Sequence, residues 1–359
     1  MSSAAAILWL DLVASTAEAR LLPRHDEAAQ AMGALSRALV SDRAGPWQVR
    51  ALVPQAARAG ELVLMAGGFA REAAAPQLDV ARDLAGRGVR VAVMVHDLVR
   101  LRRPEWFAPS EQGRFQIWLD GMLAVAQLVL VPSEATGRDL AQYVAERGIA
   151  AKPIRRMPMG DTLLEVPAAG SSRLPHPFVL VPTPIDTRRN QDVLVEGWRR
   201  LALRAQSGHG AGHAAGKLPL LVLAGLFGEM SRDLALRLGR AGTWQIALHP
   251  AKDDAALAAL YRDCAFVIIP SLHAGWGAHV TQSLACGKPV FAAKAAALPE
   301  AGGRLARYFD PLDPEDLARA VDRVLRDPPD LARWQAEIAR DHRRRSWQEA
   351  ARSWLAALA

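Results

Sequence analysis

Cysteine is nearly absent from this 359-residue chain: Cys264 and Cys286 are the two, both inside apolar stretches. A disulfide framework is excluded, and a reducing compartment, the cytoplasm, is the expected location. Long apolar runs are lacking as well. The N-terminal stretch holds a short one, but no basic region leads it and Asp11 interrupts it, which suits a first β-strand better than a signal peptide. No run elsewhere approaches the roughly 20 residues needed to span a bilayer. The sequence also has no Asp-x-Asp pair to hold a divalent cation. Its tryptophans are dispersed through helical patterns without interleaved basic residues, so nucleic acid is not an expected partner.

What is present is the balance of a globular protein, 51% hydrophobic and 23% charged. Single cores stop growing near roughly 250 residues, so two domains are expected. Lys and Arg total 44 against 37 Asp and Glu, a formal charge of +7. That excess has two readings: composition alone, or anionic partners such as nucleotide diphosphates and acidic lipid surfaces.

Short β-like runs recur at 7–12, 48–53, 61–65, 89–96 and 127–132, with helical patterns at 26–40, 78–86 and 133–147. Such alternation implies a parallel sheet with crossover helices. The stretch 167–177 concentrates Pro, Gly and Ser without periodicity and reads as a linker. A second α/β series follows, with strands expected at 178–181, 220–223, 245–248, 265–269 and 289–292. The expected organisation is a Rossmann-like domain over 1–166, the linker, a second Rossmann-like domain over 178–345, and an amphipathic helix in 346–359. His209 and His213 lie in a Gly- and Ala-rich stretch with no Cys or carboxylate beside them, which reads as a surface loop.

The most informative stretch is SLHAGWGAHVTQSLACGKP, Ser271 to Pro289, which follows an apolar strand. Gly275 and Gly277 allow close backbone approach to a ligand. The helix expected over 278–285 aims its unpaired N–H groups and positive dipole end at the loop, an anion site suited to a diphosphate. Glycines that merely serve packing before a helix are the competing reading. In the first half, His96 and Asp97 end an apolar strand at the edge where open α/β sheets place ligands.

Leu260 to Leu317, with Pro-Ser-Leu, Ala-Gly-Trp-Gly and Leu-Pro-Glu in order, resembles the donor-binding segment of the GT4 family of retaining glycosyltransferases. Phe178 to Leu201, Val95 to Phe107 and Val131 to Leu140 are similar to three further segments of that family. The resemblance implies the GT-B fold, α/β with two Rossmann-like domains facing each other across a cleft. It implies transfer, with retention and without a metal or other cofactor, from a GDP-, dTDP- or UDP-linked sugar to a saccharide or lipid-linked acceptor. Surface polysaccharide assembly by a protein peripheral to an anionic membrane face is the setting it suggests.

Residue by residue, the resemblance places the donor diphosphate on Arg189, with Arg188 beside it, and a further basic position on Thr183. Arg188, Arg189 and His96 are the catalytic candidates, and Asp97 lies on the acceptor side. Gly275, Trp276 and Gly277 form the donor loop, and Glu300 either caps or orients the loop beneath the donor or is a plain carboxylate at a helix N-terminus. Two positions depart from the pattern. The carboxylate that reads sugar hydroxyls falls on Ala274, leaving that role to water, backbone, His273 or His279, and the one that reads the ribose falls on Gln282. These departures support a second reading, a catalytically silent GT-B homologue acting as a binding or partner subunit.

Overall fold

The computed structural model describes residues 6–11, 27–42, 47–67, 69, 74–162, 164, 166, 171–207, 218–227, 232–239 and 244–359. They form two compact units, one holding the described residues up to Gly160 together with Arg345–Ala359, the other the described residues of Asp161–Arg344.

The first unit runs β1 (Ala6–Leu10), α1 (Glu27–Ser41), β2 (Trp47–Ala51), β3 (Leu62–Met65), α2 (Ala74–Gly86), β4 (Arg90–Met94), α3 (Val99–Arg102), α4 (Pro109–Val125), β5 (Leu128–Val131), α5 (Glu134–Arg147) and β6 (Ile154–Arg156). The six strands are parallel, in the order β2-β1-β3-β4-β5-β6. Strands such as LVLM and LVLV are apolar along their whole length because helices cover both faces of such a sheet. Local chemistry fixes the helix ends. Ser133 caps α5 by accepting from the Thr136 N–H, and Gly148, at φ 63°, closes it in the left-handed conformation.

The second unit runs β7 (Phe178–Val181), α6 (Gln191–Gln206), β8 (Leu220–Leu223), α7 (Arg232–Gly239), β9 (Ile246–Leu248), α8 (Asp254–Asp263), β10 (Phe266–Ile269), α9 (Ala278–Ala285), β11 (Val290–Ala293), α10 (Leu298–Gly302), β12 (Arg307–Phe309), α11 (Pro314–Arg326) and α12 (Pro328–Asp341). Its parallel order is β12-β11-β10-β7-β8-β9. The chain walks outward from β7 to β9, then returns to the other side of β7 as β10. The carboxyl ends of β7 and β10 therefore flank a topological switch point, where open α/β sheets bind ligands.

Helix α13 (Trp347–Leu358) closes the chain within the first unit. Ser346 and Glu349 form a capping box at its start. Trp354 Nε1 donates to the Pro158 carbonyl (2.8 Å), and Trp47 Nε1 donates to that of Leu355 (2.9 Å). Of the expected linker, 167–170 lie outside the described residues, while the Ser172 N–H donates to the Asp263 carboxylate and Leu174 packs on the second unit's core. His209 and His213 also lie outside the described residues. Among the described residues no helix is long and apolar enough to cross a membrane.

Candidate functional site

Phe266 pairs with Val179 and Val267 with Leu180, so the loops after β7 and β10 leave the second sheet side by side. The first carries Thr183, Asp186, Arg188, Arg189 and Asn190. A Cβ on Gly225, just beyond β8, would stand 1.9 Å from the Thr183 carbonyl oxygen, so only glycine lets the chains pass this close. Asp186 shapes the turn. One of its carboxylate oxygens accepts from the N–H groups of Arg188 (2.9 Å) and Arg189 (3.2 Å), and the other pairs with the Arg188 guanidinium at 3.0 Å. The Asp186 side chain is 2% exposed against 44% for Arg188, so a deeply set carboxylate already offsets part of the Arg188 charge.

Asn190 then takes the left-handed conformation (φ 59°), which asparagine tolerates better than other side-chain-bearing residues. Its Nδ2 donates to the carbonyls of Pro270 (3.2 Å) and Pro311 (2.9 Å), tying the loops after β7, β10 and β12 together. With its side chain used in this way, it does not cap α6.

The loop after β10 carries Ser271, His273, Ala274, Gly275, Trp276 and Gly277. The Ala297 N–H donates to the Ala274 carbonyl (3.4 Å), binding this loop to the turn before α10. Gly277 has φ 84°, and a Cβ there would meet the Ala301 Cβ at 2.6 Å, so both conformation and space demand glycine. It gives α9 no side-chain cap. Two helices thus begin at one switch point without a capping side chain, their positive ends suited to an anion.

Buried polar atoms gather on the same loops. Thr183 Oγ1, Ser271 Oγ, His273 Nε2 and Trp276 Nε1 are all shielded and have no hydrogen-bond partner among the described residues. Such groups are rare in native interiors. Glu300 stands exposed on α10, which the Tyr308 hydroxyl steadies by reaching the carbonyls of Gly303 (2.7 Å) and Pro299 (3.2 Å). Burial pushes the Tyr308 hydroxyl up to about 12, so it stays protonated.

Gln282 is placed differently. It lies in the middle of α9, 1% exposed, and its amide pairs with both backbone groups of Leu164, accepting from N–H and donating to C=O at 3.1 Å each. It also lines a cavity of about 320 Å³ with Ala285, Cys286, Lys288, Arg262 and Arg344. Cys286 follows α9 and Lys288 precedes β11, so this cavity lies toward the amino-terminal edge of the sheet, away from the two loops. A ribose hydroxyl reaching Gln282 would have to share or replace the Leu164 bonds.

In the first unit, His96 follows β4, and its Nε2 lies 3.0 Å from the Ala66 carbonyl. A carbonyl only accepts, so Nε2 carries the hydrogen in this contact, and Nδ1 of the neutral ring is the acceptor nitrogen. Asp97 accepts from the Val99 N–H (3.0 Å) and opens α3. Both residues sit at the carboxyl-terminal edge of the first sheet.

Residues 180–327, within the second unit, match the family model described as glycosyl transferases group 1. The chain is 26% identical over 184 residues to the serotype-specific mannosyltransferase WbdA of Escherichia coli, covering 50% of this chain and 21% of that protein. It is 35% identical over 106 residues to the MMP alpha-(1->4)-mannosyltransferase of Mycolicibacterium hassiacum, covering 27% of this chain and 25% of that one. It thus spans about a fifth to a quarter of the length of these curated relatives.

Among solved structures, Anabaena HepE in complex with UDP and glucose superposes with a TM-score of 0.62 over 98% of both chains at 16% identity. An alpha,alpha-trehalose-phosphate synthase (UDP-forming) from Burkholderia vietnamiensis gives 0.58 at 14% identity, over 85% of this chain and 72% of that one. Two six-stranded parallel sheets with these neighbours constitute the two-domain α/β GT-B fold.

Sequence reasoning missed Asp186 as the organiser of the arginine turn, and Asn190 and Ser271 as site residues. An Asp two and three residues before the N–H groups it accepts from is an Asx-type turn signal, legible in Asp186-Thr187-Arg188-Arg189. The long-range bonds of Asn190 leave no trace in local sequence.

Proposed function

We propose that the protein is a glycosyltransferase that moves a sugar from a nucleotide-activated donor to a saccharide or lipid-linked saccharide acceptor with retention. The second unit holds the donor and the first the acceptor. The observation that carries this reading is the junction of the β7 and β10 loops, where two helix N-termini without side-chain caps meet the Arg188–Arg189 turn. As the bond from the sugar to the diphosphate breaks, negative charge grows on the leaving group, and positive groups fixed in advance stabilise it. Arg189 is the principal side chain in that role, at the position where the resemblance places the diphosphate, and Arg188, whose guanidinium pairs with Asp186, stands beside it. Arg189 and the two helix ends supply this charge without a divalent metal. His96, with its tautomer fixed, is the acceptor-side candidate, and Asp97 shapes its loop.

The mannosyltransferase relatives suit this activity and favour it over a silent homologue. They also suit a place in surface polysaccharide assembly, and the +7 charge suits work at an anionic membrane face. Incubation of the wild type with GDP-mannose, UDP-glucose and dTDP-glucose, each with and without oligosaccharide acceptors, tests the proposal. Release of nucleoside diphosphate above an Arg189→Ala control supports it, and no release from any donor overturns it.

A further inference from the structure

Arg262, Lys288 and Arg344 come from three separate parts of the chain: the end of α8, the turn before β11 and the segment after α12. All three line the cavity of about 320 Å³ that Gln282 borders, and among the described residues no carboxylate lines it. Lys288 is fixed in place. Its ammonium donates to the carbonyls of Arg262 (2.7 Å) and Cys264 (2.9 Å) at the end of α8. Those acceptors carry no net charge, and an ammonium has three N–H groups, so a third is left for another acceptor. Arg344 donates to the Thr162 hydroxyl (3.3 Å). Asp263 pairs with Arg262 (3.2 Å) while also accepting from the Ser172 N–H. Three cations against that one carboxylate leave +2. Like charges facing one cavity repel, a cost that an anion held between them removes.

We infer that this cavity binds the dianionic phosphate group of a small molecule, at a site separate from the loops after β7 and β10. Two negative charges match the +2, and Arg and Lys donors from three elements suit the several oxygens of a phosphate better than the two of a carboxylate. A volume of about 320 Å³ lies at the lower end of the range for small-molecule sites. Arg262 and Lys288 precede β10 and β11, at the opposite end of those strands from the loop that holds Gly275 and Gly277. A four-residue strand is about 13 Å long, and α9 separates Gly277 from Cys286 by about the same distance. The bound group would join the end of α8 and the start of β11 to the segment of Thr162 and Leu164, which Gln282 already holds.

Cys286 supplies a reporter inside the cavity. It is half-buried and lines the space, whereas Cys264 is 2% exposed, so alkylation of the native protein by N-ethylmaleimide reads Cys286. The rate is followed by mass spectrometry against rising inorganic phosphate, glucose 6-phosphate, glucose, and sodium chloride at matched ionic strength. At least one of the two phosphates slows alkylation saturably, and glucose and chloride do not. Equal potency of the two assigns the site to phosphate itself, and greater potency of glucose 6-phosphate assigns it to a phosphorylated metabolite. Lys288→Gln and Arg344→Gln each raise the half-protecting concentration about tenfold or more, the loss of one charge-assisted bond. Lys288→Gln also gives up the bonds at the end of α8. If that unfolds the protein, Arg344→Gln, exposed beyond α12, decides alone. Arg189→Ala leaves protection unchanged, which separates this site from the one proposed for the donor. The inference is overturned by no protection, by equal protection from chloride or glucose, by protection that survives intact in Arg344→Gln, or by protection lost in Arg189→Ala.

Discussion

Asn190 donates from the loop after β7 to the Pro270 carbonyl in the loop after β10, at 3.2 Å, while its backbone stays left-handed at φ 59°. One residue thus closes the switch point of the second sheet and sets the start of α6. Asn190→Ala loses both side-chain bonds and forces a Cβ-bearing residue into a conformation asparagine tolerates, a combined cost of about 2–4 kcal/mol. Asn190→Gly keeps the conformation and loses only the bonds. Denaturant melts should rank wild type above Asn190→Gly above Asn190→Ala. Equal stability of the two variants would show that the conformation contributes nothing.

Arg189 is expected to act on charge alone. Its removal should weaken nucleoside diphosphate binding by tenfold or more and nucleoside binding by less than twofold, since guanidinium–phosphate bonds are charge-assisted. Arg188→Ala should cost less, because Asp186 already pairs with that guanidinium. Titrations of UDP against uridine, and of GDP against guanosine, read the difference. Parallel losses for nucleotide and nucleoside would make Arg189 a structural residue.

The fold was legible because its central strands, FVLV, LLVL and FVII among them, are continuous apolar runs between turn residues, the pattern of a parallel sheet buried on both faces. β6 (IRR) and β12 (RYF) escaped because arginines occupy two of three positions in the first and one in the second, so neither reads as an apolar run, whereas the equally short edge strand β9 (IAL) does. The loop between β10 and α9 was legible for a local reason, two glycines between a strand and a helix. Gln282 falls in the helix expected over 278–285, and the resemblance gave it the ribose-reading position. Spacing does not reveal that Leu164, 118 residues earlier in the chain, takes its amide.

His342 lies near the end of the second unit with its Nε2 3.7 Å from the Asp161 carboxylate. Burial holds its pKa below the usual 6.5, and Asp161 opposes this only in part. The folded state binds the proton less readily than the unfolded chain. Its contribution to stability is therefore present above about pH 6.5 and is lost as the pH falls below that value toward the folded pKa. Between pH 7.5 and 5.5 the melting temperature of wild type should fall more than that of His342→Gln. An equal fall in both would assign the acid sensitivity to other groups.

Gln282 gives the sharpest test of what α9 is built to hold. Its amide accepts from the Leu164 N–H and donates to the Leu164 carbonyl, and no single carboxylate can do both. Gln282→Glu keeps the first bond, loses the second and sets oxygen against oxygen, at about 1–3 kcal/mol. Arg262, Lys288 and Arg344 line the same cavity and offset part of the buried charge. Gln282→Met fills the same space, loses both bonds and gains nothing from those cations. Melting temperatures should therefore rank wild type, then Gln282→Glu, then Gln282→Met, with about 2–4 °C per kcal/mol for a unit of this size. Nucleotide affinity should change by less than tenfold in Gln282→Glu, since at most one hydrogen bond to the ribose is altered. A Gln282→Glu protein more stable than wild type would show that the position is shaped for a carboxylate, and that the Leu164 pairing is the adaptation of a chain that has lost one.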